Sequence, residues 1–313
     1  MATTTSRTAS AAASPTAAGT TLADVLVPWF RAHARDLPWR RQGTTAWGVL
    51  VSEIMLQQTP VARVEEPWRA WLERWPRPSA MAAAPGADVL RAWGRLGYPR
   101  RALRLHAAAQ AIAAEHGDVV PADVETLESL PGIGTYTARA VAAFAHGRRV
   151  PVVDTNVRRV VARAVHGRAD AGGAAARDLT DVDTLLPWDA ADAATTSAAL
   201  MELGATVCVA RGPRCADCPV LDRCAWQRHG RPAGDGPARK AQAWAGTDRQ
   251  VRGRLLAVLR GAPGPVTAEA LEAAWLTDPA QRSRCLDSLL VDGLVEQLPD
   301  GRFALPGEVG DVP

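Results

Sequence analysis

Four cysteines stand within seventeen residues, at Cys208, Cys215, Cys218 and Cys224. Their spacing, C-x6-C-x2-C-x5-C on a segment punctuated by Pro213 and Pro219, constrains the chain more than any other feature. Four thiolates so close together can converge on one metal centre, and ligand chemistry alone leaves zinc and an iron–sulfur cluster both open. Disulfides are the plainer use of paired cysteines but need an oxidising compartment. Residues 1–20 are rich in Ala, Ser and Thr and have no hydrophobic core segment, so they read as a disordered tail rather than an export signal. Cys285 stands apart and reads as a buried apolar residue.

The 313 residues suggest about two domains. No apolar run approaches the ~18 residues of a membrane span. Apolar residues over 21–227 recur at helical spacing without sustained alternation, which predicts a mostly α fold. Thr59-Pro60 reads as the start of one helix, with Val61, Val64, Trp68, Trp71, Leu72 and Trp75 on its core face. Residues 228–246, rich in Gly, Pro and Ala, read as a linker. Over 247–313, three helical segments precede a hairpin signal at Pro299-Asp300-Gly301, the order of a small winged-helix-like domain. This last part holds 7 arginines against 10 acids, whereas the whole chain is at +3, so a polyanion is expected on the larger part. Of the 36 basic residues only Lys240 is a lysine.

Three further segments suggest chemistry. Leu130-Pro-Gly132-Ile-Gly134-Thr-Tyr136-Thr-Ala138 lies between two helical stretches within 124–145. Gly132 and Gly134 allow a tight turn, and the helix that follows offers free N–H groups to an anion. Asp154, in Val150-Pro-Val-Val-Asp154-Thr-Asn156, is a good helix N-cap, with Asn156 a second capping residue. Glu53 stands in the apolar run Trp47-Gly-Val-Leu-Val-Ser-Glu53-Ile-Met-Leu56-Gln57-Gln58-Thr59. It lies either on one exposed stripe or buried with a raised pKa, as suits a general acid.

Taken together and in this order, the motifs resemble the endonuclease III superfamily of DNA base-excision enzymes. The segment Ser52-Glu53-Ile-Met-Leu-Gln-Gln-Thr59, with Arg35-Asp-Leu-Pro-Trp39-Arg40 and Leu96-Gly-Tyr98, is similar to its adenine-specific branch, the MutY adenine DNA glycosylases. The resemblance implies a helix–hairpin–helix glycosylase and a structural [4Fe–4S] cluster on Cys208, Cys215, Cys218 and Cys224. It implies duplex DNA with adenine opposite 8-oxoguanine or guanine as the partner. Glu53 would protonate the adenine and Asp154 would face the sugar cation, with Tyr136 contributing a hydroxyl beside Asp154 and Asn156 holding the site. Arg35, Trp39, Arg40 and Leu56 would line the adenine pocket. Gln57, Gln58 and Tyr98 would meet the duplex at the mismatch, and Gly132 and Gly134 a phosphate. A monomer in the cytoplasm, associated with the nucleoid and not with a membrane, is expected.

The sequence departs from that family in three places. Pro99 follows Tyr98 where many members have a second tyrosine, and Ala198 replaces a glutamate ten residues before the first cysteine. The last 68 residues are too short for the MutT-like domain of well-known members, and are expected to be dispensable for chemistry. The rival readings are an endonuclease III-like glycosylase/AP lyase and an iron–sulfur winged-helix DNA-binding regulator. The first needs an amine for a Schiff base, and the hairpin position that holds lysine in that family is Tyr136 here. The second leaves Glu53, Asp154 and the hairpin unexplained.

Overall fold

A computed structural model describes residues 20–234 and 244–308. Residues 1–19 of the expected tail and 235–243 of the expected linker, Lys240 included, lie outside the described residues. Among those described there are fifteen α-helices and one two-stranded antiparallel sheet, and no helix is long and apolar enough to cross a membrane.

Tryptophans build the larger core. Trp71 packs edge-on against Trp75 and Trp93, with ring centroids 5.0 and 5.4 Å apart. A buried indole N–H must find an acceptor. Trp47 donates to the Trp75 carbonyl, Trp68 to Gly48, Trp71 to Ala92 and Trp93 to Gly97, at 2.8–3.0 Å. Each ring therefore ties its own helix to the backbone of another segment. A second apolar cluster joins the helices Leu22–His33, Thr155–Ala164 and Ala190–Thr206 through Leu26, Val157, Val161, Leu200 and Leu203. The helix Thr135–Phe144 stands between the two clusters.

The helix expected from Thr59-Pro60 begins later. Val61–Arg63 is a 3-10 turn and the α-helix runs Glu65–Arg74. Thr59 does not cap it, because its hydroxyl is taken by the Leu96 carbonyl at 3.2 Å and by the Arg101 guanidinium at 3.1 Å. A tertiary hydrogen bond here wins over a local capping preference.

Near the C-terminus the helices Asp248–Gly261, Ala268–Ala273 and Pro279–Val291 are N-capped by Thr247, Thr267 and Asp278. The strands Glu296–Gln297 and Phe303–Ala304 pair antiparallel across a turn at Gly301, completing a winged-helix arrangement. Its core residues Val251, Leu255, Leu259, Leu289 and Phe303 belong to the same apolar cluster as Leu90 and Trp93. A unit that the sequence presents as separable thus shares its core with the larger part, because the helix Asp248–Gly261 packs on the helix Gly86–Trp93. Leu255→Ala should therefore destabilise the chain by about 3 kcal/mol in one cooperative transition, followed by denaturant unfolding of both far-UV signal and tryptophan fluorescence. Two separated transitions would show the cores to be independent.

Candidate active site

Glu53 lies on the helix Ala46–Leu56, where every residue from Trp47 to Met55 is buried. There is no exposed stripe for it, and it is 6% exposed. Burial pushes its carboxyl up to about 7, the Tyr136 hydroxyl and the Arg40 charge pull it back, and Asp154 adds to the rise. Tyr136 donates its hydroxyl proton to Glu53 Oε2 at 2.9 Å. Tyr136 stands on the first turn of the helix Thr135–Phe144, which packs on the Glu53 helix; the buried Glu53 carboxylate is its hydrogen-bond acceptor, and the nearby Asp154 charge also raises its pKa.

Asp154 is the N-cap of the helix Thr155–Ala164 and also faces the cleft. One oxygen accepts from the Val157 N–H at 2.7 Å and the other from the Asn156 amide at 2.8 Å. Capping and a place in the site coexist because a carboxylate has two oxygens with several lone pairs. Burial raises its pKa against the pull of these bonds. Arg159 donates to Asn156 Oδ1, to the Gly204 carbonyl and to the Cys208 carbonyl, each at 2.7 Å. Gly204 permits this closeness, since a Cβ there would sit 2.7 Å from Asn156.

Sequence reasoning missed Glu202, which is fully buried on the helix Ala190–Thr206. It accepts from Arg35 Nε at 2.6 Å, Arg35 Nη2 at 2.9 Å, the Arg35 N–H at 3.2 Å and Arg40 Nη1 at 2.8 Å. Opposing the cost of burial, these arginine contacts hold its carboxyl down at about 2. The signal that singled out Glu53, an acid inside an apolar helical run, is also present in Leu200-Met-Glu-Leu203.

An open cleft of about 1150 Å3 is lined by Glu53, Asp154, Tyr136, Asn156, Arg35, Trp39, Arg40, Leu56, Gln57, Gln58 and Gly134. Ala198 also lines it. Tyr98 and Gly132 do not. Gly132, at φ +75°, makes the hairpin turn between the helices Val124–Ser129 and Thr135–Phe144, and a Cβ there would meet Arg104 at 2.5 Å. Helix Thr135–Phe144 begins at Gly134 with no side-chain cap. Tyr98 is exposed on the loop beyond the helix Gly86–Trp93. Gln58 and Tyr98 are two of only four non-glycine residues at positive φ among those described, at +53° and +46°. That conformation is uncommon for such side chains and persists only where the surroundings over-determine it. Arg101 is the common anchor. It donates to the carbonyls of Ile54 at 2.7 Å and Gln57 at 2.6 Å, and to those of Leu96 at 3.3 Å and Gly97 at 3.1 Å. Burial pulls its pKa down to about 10.

Cys208, Cys215, Cys218 and Cys224 line one small pocket together with Arg163 and Trp226. Arg163 donates to Cys208 Sγ at 3.4 Å and to the Val209 carbonyl at 2.8 Å. Burial pushes the Cys218 thiol up to about 11, and the three other cysteines add to that. Among the described residues no three His, Cys, Asp or Glu side chains stand close enough to grip a single ion. Arg214 and Arg223, between the cysteines, are bonded to the Thr206 and Thr20 carbonyls. Cys285 is buried in the helix Pro279–Val291, away from that pocket.

Residues 51–179 match the model of the HhH-GPD superfamily base excision DNA repair protein. An adenine DNA glycosylase of Mycolicibacterium smegmatis is 66% identical over 283 residues, covering 90% of this chain and 95% of the relative. One of Mycobacterium tuberculosis is 64% identical over 284 residues, covering 90% and 93%. One of Homo sapiens is 40% identical over 215 residues, covering 64% and 38%. Among solved structures, a thermostable thymine-DNA glycosylase superimposes with a TM-score of 0.60 at 24% identity, over 66% of this chain and 95% of that one. Endonuclease III in a non-covalent DNA complex superimposes with a TM-score of 0.57 at 22% identity, over 67% and 95%. At that identity the likeness speaks for the fold.

Glu202→Gln should leave Arg35 and Arg40 without a counter-charge. The expected loss is about 2 kcal/mol, less than for a fully buried pair because both arginines reach solvent. Stability from Glu202 is present above its unfolded pKa near 4.5 and fades as pH falls towards 2. Denaturant midpoints of wild type and Glu202→Gln should accordingly converge below about pH 4; a constant gap would refute this account.

Proposed function

The chain belongs to the adenine DNA glycosylases of the HhH-GPD superfamily, and on that footing we propose how its two cleft carboxylates divide the removal of adenine. It is a base-excision DNA glycosylase, an enzyme that hydrolyses the N-glycosidic bond between base and sugar. The substrate we assign is adenine opposite 8-oxoguanine or guanine in duplex DNA. An adenine inside a duplex must leave the stack before a side chain can reach it, and unstacking costs a few kcal/mol. Gln58 and Tyr98, whose backbones are left-handed, would be the wedges that replace it, with Gln57 beside them. Arg35, Trp39, Arg40 and Leu56 then form the pocket wall. The N–H groups after Gly134 meet a backbone phosphate, with Gly132 shaping the turn.

Glu53, neutral in part near pH 7, gives its proton to N7 of the adenine. The electron pair of the C1′–N9 bond leaves with the base, and the sugar becomes an oxocarbenium-like cation. Asp154 faces that cation as a carboxylate. Water adds at C1′ and yields its proton to the Glu53 carboxylate, which restores the acid. Tyr136 holds Glu53 by its hydroxyl, and Asn156 holds Asp154. Two carboxyl groups with different tasks follow the logic of glycoside hydrolysis. Tyr136 cannot form a Schiff base, so base release proceeds without strand cleavage. Cys208, Cys215, Cys218 and Cys224 would hold a [4Fe–4S] cluster that fastens the loop and has no part in bond breaking. We place the enzyme in the cytoplasm, with the nucleoid, as a monomer.

The observation that carries this reading is the buried Glu53, bonded to Tyr136, opening on the same cleft as Asp154. Glu53→Gln and Asp154→Asn should each lower single-turnover excision by at least ~100-fold while mispair binding survives. Near-normal excision by either would refute the roles. Excision should also fall above about pH 7, as Glu53 loses the proton it must donate. The Tyr136 bond stabilises the Glu53 carboxylate, so Tyr136→Phe should move that falling limb to higher pH; a shift to lower pH would contradict the assignment. For the cysteines, anaerobically purified protein should be brown with broad absorbance near ~400 nm, unchanged by Cys285→Ser. Stoichiometric zinc without iron would overturn the cluster.

A further inference from the structure

The C-terminal unit contacts the loop that bears Tyr98 from outside. Helix Gly86–Trp93 leads into that loop and has no side-chain cap of its own. The unit supplies a partner at each end. The Ala87 N–H donates to the Pro306 carbonyl at 2.8 Å, and Arg260 donates to the Gly94 carbonyl. Gly86 lets the chains approach, since a Cβ there would lie 3.1 Å from the Pro306 carbonyl oxygen. Along the helix, Arg91 bonds the Ala262 carbonyl at 3.1 Å and pairs with Glu308. On the far side of Tyr98, Arg100 pairs with Asp292 at 3.1 Å, and Arg252 holds the other oxygen of the same carboxylate. The loop from Gly94 to Arg100 is therefore gripped at both ends.

The basic residues of the winged helix point to the same use. Arg282 is bonded to the Trp275 carbonyl at 2.9 Å and faces Glu272 at 3.5 Å, while Arg284 pairs with Asp248 at 3.2 Å. The arginines that a recognition helix would offer to DNA are engaged within the unit, which is itself acidic in balance. We propose that the C-terminal unit is a brace for base flipping: it positions the strained Tyr98 loop by capping the helix Gly86–Trp93 and tethering Arg100. The proposal rests on the reading of Tyr98 as a wedge. A left-handed tyrosine relaxes unless its flanks are held, and a relaxed loop presents the ring to the duplex in fewer molecules.

The test uses the full chain with Arg260→Gln, Asp292→Asn, the double variant, and Tyr98→Ala as benchmark. A 2-aminopurine beside the mispaired adenine reports unstacking, and single-turnover excision separates half-saturating enzyme concentration from plateau rate. The double variant should lose unstacking amplitude and raise the half-saturating concentration about threefold to tenfold, the scale of one or two partly exposed charge-assisted bonds, with the plateau within about twofold. Arg260→Lys, which keeps a donor, should restore most of the signal. Far-UV dichroism and visible absorbance report folding. If the double variant is unfolded, Asp292→Asn alone, which removes the two partly exposed ion pairs of one carboxylate, decides the outcome. Unchanged unstacking in the folded variants, with unstacking lost in Tyr98→Ala, overturns the brace and leaves the wedge intact. Unchanged unstacking in Tyr98→Ala overturns the wedge itself. A selective loss of preference for the base opposite adenine would make the unit a reader instead.

Discussion

An acid on the helix Ala46–Leu56 is buried among core-facing neighbours and meets solvent only through the cleft. That constraint organises the site. A buried carboxyl is stable either neutral or with partners, and Glu53 is arranged between these states. Tyr136 supplies one donor at 2.9 Å, Arg40 supplies a nearby charge, and Asp154 works against both. Were Glu53 fully paired it would lose the proton that an acid needs; were it unpaired it would hold that proton too tightly to give it up to the base. The nearby Glu202 shows the other limit. It is as deeply buried, but Arg35 and Arg40 hold it as a carboxylate, so it anchors the cleft wall and does not exchange protons near neutrality.

The cysteine loop supports the same cleft at a distance. The Cys208 carbonyl receives Arg159, Arg159 fixes Asn156, and Asn156 fixes Asp154, with bonds of 2.7–2.8 Å throughout. Arg163 adds bonds to the Cys208 sulfur and the Val209 carbonyl. Loop geometry is thereby transmitted to the Asp154 carboxylate in the cleft. On the helix Thr155–Ala164, Arg159 and Arg163 are turned inward, onto the cysteine loop. A guanidinium has five donors in a fixed fork and can satisfy several loop carbonyls at once, where loop backbone has few other partners.

Strain is concentrated where the duplex would be entered. Gln58 and Tyr98 lie on different loops, forty residues apart, and Arg101 bonds to the carbonyl that precedes each, those of Gln57 and Gly97. Its position explains why Thr59 is withdrawn from capping and why the helix after Pro60 starts late. Local preference yields because one buried guanidinium must find carbonyl and hydroxyl partners, and the two loops provide them.

Much was legible along the chain itself. Four cysteines at close spacing, an acid in an apolar run, a two-glycine turn and an aspartate before a helix are local signals, since each depends on neighbours a few positions away. So are the tryptophan face at 68, 71 and 75 and the three helices with a hairpin near the C-terminus. What was not legible depends on pairs distant in sequence. Glu202 meets Arg35 across 167 positions, Tyr136 finds Glu53 across 83, and Arg260 reaches Gly94 across 166. A side chain's periodicity tells which way it faces, but its hydrogen-bond partner is set by which helices pack together. That packing brought the Tyr136 hydroxyl onto Glu53, and made the apparently separate C-terminal unit part of one core.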